Sequence, residues 1–190
     1  MKKNLVIALL MTAVTTALLG LIYPLTMTGI AQVIFPYKAN GQLMVRDGNL
    51  IGSRIIGQPF TGPDYFHARP SAAGEHGYDA ANSAGTNLGP TNSKLMQRVN
   101  EDARSLQAQN PRAPVPIDLV TTSASGLDPD ITPAAAYFQV PRVASARHLP
   151  EAEITALVRA HVQQRQWGFL GEPRVNVLEL NLALNELSKK

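Results

Sequence analysis

The sequence predicts a single N-terminal transmembrane helix followed by one extracytoplasmic domain of the α/β or α+β class. Three observations lead there. Lys2 and Lys3 are followed by no charged side chain until Lys38, and the intervening stretch is apolar from residue 5 to residue 23. Beyond it, capped helix signatures alternate with short apolar runs. Those elements are punctuated by many of the 14 Gly and 14 Pro residues, which favours many turns and few long elements.

Residues 5–23 read LVIALLMTAVTTALLGLIY, 19 residues of which 15 are apolar and the rest Thr and Gly. A helix of that length rises roughly 28 Å, close to the hydrocarbon thickness of a bilayer. Thr12, Thr15 and Thr16 can return their hydroxyls to carbonyls one turn back, which makes them tolerable in lipid. Tyr23 sits where an interfacial aromatic belongs, and Pro24 is expected to end the regular helix. The uncharged residues 23–35 offer an alternative, an upward extension after a proline kink. A buried core helix is disfavoured because no polar face appears over five turns. A cleaved signal peptide would have a shorter apolar region, about 7–15 residues, and a small-x-small exit. Leu21-Ile22-Tyr23-Pro24 fits that poorly. The expected division is therefore 1–4 cytoplasmic, 5–23 transmembrane and 24–190 extracytoplasmic, with Lys2 and Lys3 holding the N-terminus in the cytoplasm. In a bacterium with two membranes this is a single pass through the inner membrane, with a periplasmic domain.

Charge placement excludes nucleic acid as a partner. Of 17 Lys+Arg, two precede the span, which leaves 15 against 14 Asp+Glu outside it. The lysines fall at Lys2, Lys3, Lys38, Lys94, Lys189 and Lys190, and no basic stripe with interleaved aromatics exists to track phosphates. With no cysteine there is no disulfide, thiolate metal site or cysteine nucleophile.

The outer segment reads as follows. Asp47-Gly48-Asn49 between the runs 42–46 and 50–56 predicts a hairpin. Residues 59–92 are dominated by Gly, Pro, Ser, Ala and Asn, and a loop that long inside a compact domain is usually functional. Thr91 or Asn92 can cap a helix to about Gln109, with Leu95, Val99, Ala103 and Leu106 on one face, and Asn110-Pro111 stops it. Residues 115–121 are expected as a buried strand. Thr132-Pro133 opens a second helix. A third starts at Pro150, with Glu151 and Glu153 in its first turn and Ile154, Leu157, Val158 and Val162 as its apolar face. Residues 168–173 are loop, Val175 and Val177 fit a strand, and 178–187 fits strand or helix equally.

Catalytic constellations are scarce. Residues 85–89 (GTNLG) lack the spacing and the Gly-Lys-Ser/Thr of a phosphate loop. A hydrolase built on Ser123 or Ser125 would lack both the leading Gly of a nucleophile elbow and an evident base. His67, His76, His148 and His161 form no i, i+4 pair, and the pairs Asp64/His67 and Glu75/His76 are too few to define a metal site. No metal and no cofactor of its own is expected. The uncharged polar residues Gln58, Asn82, Ser83, Thr86, Asn87 and Asn92 suit a fixed docking surface better than catalysis.

At this point a family resemblance becomes specific. The chain resembles the C subunit of the Kdp potassium-transporting P-type ATPase over essentially its whole length. The similarity is carried by Tyr23-Pro24-Leu25, Ile56-Gly57-Gln58-Pro59-Phe60 and Tyr65-Phe66 with Arg69-Pro70-Ser71-Ala72-Ala73. It continues through Asn87-Leu88-Gly89-Pro90, Ser123-Ala124-Ser125-Gly126-Leu127-Asp128-Pro129, Pro141-Arg142-Val143-Ala144 and Gly171-Glu172-Pro173-Arg174-Val175-Asn176-Val177. The resemblance implies a non-catalytic accessory subunit of a high-affinity, ATP-driven potassium uptake complex. Its implied partners are a channel-like potassium subunit, an ATP-hydrolysing pump subunit, a small membrane peptide subunit and membrane lipid. The family is described as a catalytic chaperone that raises the pump's affinity for ATP. The nearest counterparts for a nucleotide site are Gln139 and Arg142, ATP being reached through the complex. A second family proposal, a periplasmic cap at the potassium entrance, agrees with the topology read from the charges. For that docking role the residues of choice are Tyr65, Phe66, Arg69 and Asn87 on the long loop.

Overall fold

The structure, a computed structural model, describes residues 1–187. The chain falls into two compact units that divide between Ile51 and Gly52.

In the first unit, α1 (Lys2–Thr15), a π-helical stretch (Thr16–Ile22) and α2 (Tyr23–Ile34) form one continuous helical run with no buried residue. Thr15 Oγ1 donates to Met11 O at 2.8 Å, the lipid-compatible arrangement expected of a membrane threonine. The helix does not end at Pro24 but passes through it to Ile34, the proline-extension alternative. The wide turns explain this. The Tyr23 N–H bonds Leu18 O, five residues back, so the register is already loosened where Pro24 lacks a donor and crowds the preceding turn. The run ends at Phe35, whose backbone (φ −132°, ψ 53°) leaves helical space. After the short α3 (Pro36–Ala39) comes the expected hairpin, β1 (Leu43–Arg46) with β2 (Asn49–Ser53). Asp47 (φ 51°) and Gly48 (φ 77°) both take positive φ, the signature of a type I′ turn.

The second unit contains α4 (Ser93–Gln109), α5 (Pro133–Arg147), α6 (Glu151–His161) and α7 (Val177–Leu187). Three short strands, β3 (Asp130–Ile131), β4 (Val162–Gln163) and β5 (Arg174–Asn176), pair antiparallel in the order β3-β5-β4. Asp130 faces Asn176 and Ile131 faces Val175 across one ladder, while Val162 faces Val175 across the other. A wholly antiparallel sheet with α5, α6 and α7 packed against its central strand, and no parallel crossover, is α+β, which decides between the two expected classes. The core gathers Phe66, Ile131, Phe138, Val143, Ile154, Val158, Val175, Leu180 and Leu184, so the long loop contributes its own anchor in Phe66.

The helix starts follow their caps. The Asn92 side chain accepts from Lys94 N at 2.9 Å, and Thr132 Oγ1 accepts from Ala135 N at 3.1 Å. Segment 178–187 is helical. Asn176 Oδ1 accepts from Glu179 N at 3.1 Å and so caps α7, and Val177, Asn181 and Leu184 then bury at helical spacing. Two strand expectations are corrected. Residues 115–121 form a 3₁₀ turn at Ile117–Leu119, because Pro116 has no amide hydrogen to give a ladder and the Asp118 carboxylate instead accepts from Thr132 N and Oγ1 at 2.8 and 3.2 Å. Val177 opens α7 instead of extending β5.

Candidate docking surface on the long loop

Residues 59–92 form no helix or strand, so their backbone polar groups need other partners. Two buried carboxamides supply them. Asn181 of α7 accepts from Phe66 N and donates to Phe66 O, both at 2.9 Å. Gln139 of α5 accepts from His67 N at 2.8 Å and donates to His67 O at 3.0 Å. Successive residues of the loop are thus held by two amides that each mimic one rung of a β-ladder. Gln139 is filled further: its Nε2 also donates to Ala135 O at 3.2 Å, and its Oε1 accepts from Arg142 Nη2 at 2.7 Å. Arg142 Nη1 in turn donates to Pro63 O, and Arg147 Nε donates to Asp64 O at 2.6 Å. The Arg147 guanidinium lies 4.8 Å from the Tyr65 ring, which tilts against Phe60 at 5.5 Å.

A second set of contacts fixes the rest of the loop against residues 123–129, the most distinctive motif in the sequence. Ser71 Oγ donates to Gly126 O at 2.6 Å, Ala84 N and Ser83 Oγ both donate to Ser125 O at 3.0 Å, and Gly57 N donates to Leu127 O at 2.8 Å. A Cβ on Gly126 would lie 2.6 Å from Ala84 O and 2.7 Å from Ala73 N, and its φ of +67° suits glycine. Backbone approach of this closeness is why the motif reads Ser-Gly there. Asp128 completes it. Its Oδ1 accepts from Asp130 N at 3.0 Å and its Oδ2 pairs with Arg69 at 3.2 Å, while Arg69 Nε donates to Thr121 O at 3.3 Å.

Electrostatics follow burial. The His67 ring donates from Nε2 to Gly62 O at 2.8 Å, which fixes its tautomer. Burial, and then the Arg142 charge, hold its pKa below the usual imidazole value. Burial pushes the Tyr78 phenol up to about 12 and draws Arg142 down to about 10, so both keep their ordinary charge at neutral pH. Burial also raises Asp130, against the opposing Asn176 hydrogen bond and the Arg174 charge, which sits 3.0 Å away.

The structure separates the residues chosen from sequence. Phe66 is fully buried, so it holds the loop from beneath. Tyr65 and Arg69 are half-buried on the loop, and Asn87 is exposed at positive φ (52°). Gln139 is 3% exposed with every donor and acceptor of its carboxamide engaged. It and Arg142 lie together around the backbone of Pro63 and His67. The cleft beside Ser123 and Ser125, about 480 Å³, is lined by Ile55, Arg69, Leu127 and Asp128 and by no histidine, and Ser125 Oγ accepts from Leu127 N at 3.1 Å. No group of three His, Cys, Asp or Glu suited to a metal exists among the described residues. Sequence reasoning missed Asn181, Asn176 and Asp118. A polar residue at the buried spacing of an otherwise apolar helix was the available signal for Asn181.

An apolar helix of membrane-spanning length joined to a small α+β domain, whose buried polar groups brace loops, is the architecture of a membrane-anchored protein. The chain belongs to the KdpC family, the c chain of K⁺-transporting ATPases, which matches residues 5–186. It is 64% identical to the potassium-transporting ATPase KdpC subunit of Koribacter versatilis over 185 residues, covering 97% of this chain and 95% of that one. It is 58% identical to the subunit of the same name from Methylobacterium nodulans, with 92% of each chain covered. The Caulobacter vibrioides subunit is 57% identical over 179 residues, 94% of this chain and 90% of that one. The chain is accordingly an accessory subunit of a multi-subunit potassium-transporting ATPase, with a membrane-anchoring helix.

Proposed function

We propose that this subunit is a non-catalytic assembly and stabilisation factor whose domain docks on the outer face of the channel-like potassium subunit. Lys2 and Lys3 stay in the cytoplasm and the domain lies in the periplasm. One observation carries this reading: the distinctive polar residues of the domain are engaged in holding its own loops. What faces outward is therefore a rigid, pre-organised surface, the kind that binds without paying to order itself. Tyr65 and Asn87 are its proposed contacts, while Arg69, engaged with Asp128, Thr121 and Thr122, braces the loop beside them and Phe66 supports it from the core. A cap at the potassium entrance uses the same placement. The chaperone effect on ATP affinity, described for the family, then runs through the assembled pump. Gln139 supports it only as a brace, since its carboxamide already has four partners.

The test is purification of the complex carrying the full subunit or one lacking residues 2–34, alongside ATPase assays of the isolated subunit. The expected results are loss of the truncated subunit from the complex and no ATP turnover by the subunit alone. Turnover by the isolated chain would end this reading.

A further inference from the structure

The turn between β4 and β5 has no role in the packing just described. Trp167, the chain's only tryptophan, is 83% exposed at its tip, with Phe169 67% and Leu170 42% exposed beside it. The tip is nonetheless well defined. Gln166 and Leu170 exchange two backbone hydrogen bonds, each 2.9 Å, and Arg165 and Glu172 form an ion pair across the base. Trp167 (φ 51°) and Gly168 (φ 83°) both take positive φ, so the backbone accepts an unfavourable conformation for an aromatic residue in order to project it. The two rings sit 6.5 Å apart and present one apolar cap.

We infer that this cap seats in the headgroup region of the bilayer to which the same chain is anchored. Three arguments select lipid over protein. Three side chains of this size offer roughly 400 Å², about half of the roughly 800 Å² that each partner contributes to a stable protein interface. A weak contact suffices where a covalent tether supplies the effective concentration, and the continuous helix Lys2–Ile34 is that tether. The base of the tip is also electrically neutral, since Arg165 is answered by Glu172. A neutral Trp-Phe-Leu tip suits the headgroup region, where amphipathic aromatics partition, without needing anionic lipid.

The lone tryptophan makes the test clean, because all tryptophan emission comes from the tip. The full chain is reconstituted at low density in phosphatidylcholine vesicles, and its emission is quenched in parallel by brominated lipid and by aqueous acrylamide. The inference predicts blue-shifted emission, strong quenching by the brominated lipid and shielding from acrylamide. Phe169→Ser should weaken lipid quenching while leaving the far-ultraviolet circular dichroism unchanged. Emission typical of water with full acrylamide access overturns it. Shielding from acrylamide without quenching by brominated lipid also overturns it and places the tip against protein instead.

Discussion

The two units reach order by opposite means. From Lys2 to Ile34 backbone groups are satisfied inside one helical run and no side chain is buried, so the surroundings must supply the apolar contact. From Gly52 onward the chain carries its own core, yet one face of it is a loop of more than thirty residues without regular structure. That face holds because Asn181 and Gln139 complete the loop's backbone hydrogen bonds and because Gly126 lets strands of loop approach one another closely. The anchor is fixed by composition and tolerates exchange among apolar residues. The domain is fixed by a few buried amides and glycines, and single changes there should be costly.

The sharpest way to break that contrast is Asn181→Leu. It keeps the volume but leaves the Phe66 N–H and C=O buried without partners, and should lower domain stability by about 3 kcal/mol. Leu9→Ile in the anchor should change nothing measurable. Denaturant titration of the full chain in detergent, followed by circular dichroism, separates the two. A loss under 1 kcal/mol for Asn181→Leu would mean that the loop does not depend on its clamp.

Gly126→Ala should cost less, about 2 kcal/mol, since a positive φ and close contacts with Ala84 O and Ala73 N are penalised but no buried polar group loses its partner. The same titration reads it, and an unchanged midpoint would show that residues 123–129 pack more loosely than described.

The smallest effect is one of pH. His67 has a folded pKa below its unfolded value near 6.5, so the folded state resists a proton that the unfolded state accepts. Its contribution is fully present above pH 6.5 and is lost as pH falls through the depressed folded value. Asp130, with a raised folded pKa, acts in the opposite direction, adding stability as it protonates. His67→Gln, which can keep the bond to Gly62 O, should flatten the stability profile just below pH 6.5. An unaltered profile would assign the pH dependence elsewhere.

These residues also mark how much was legible beforehand. The anchor, the Asp-Gly hairpin and the caps at Asn92 and Thr132 rest on local rules, and local sequence states them. Segment 178–187 was ambiguous because Leu178, Leu180 and Leu184 fit either period, and the deciding contact, the Asn176 cap, depends on the strand before it. Residues 115–121 looked like a strand by apolar content, but Asp118 is held by Thr132, fourteen positions on. β3 and β4 are two residues each, too short to show any period. The long loop was visible as a composition, whereas its clamps were not, because Phe66 and Asn181 are 115 positions apart. The family likeness drew attention to these blocks without saying that Phe66 and Gln139 face inward.

The central claim is that this rigid surface lies outside the cell membrane, against the potassium-conducting partner. Since the chain has no cysteine, Asn87→Cys gives one exposed thiol on the loop. Intact spheroplasts carrying that variant are treated with a membrane-impermeant maleimide, with and without the partner subunits. The account predicts labelling without permeabilisation, and protection when the complex is assembled. Labelling only after permeabilisation would contradict it.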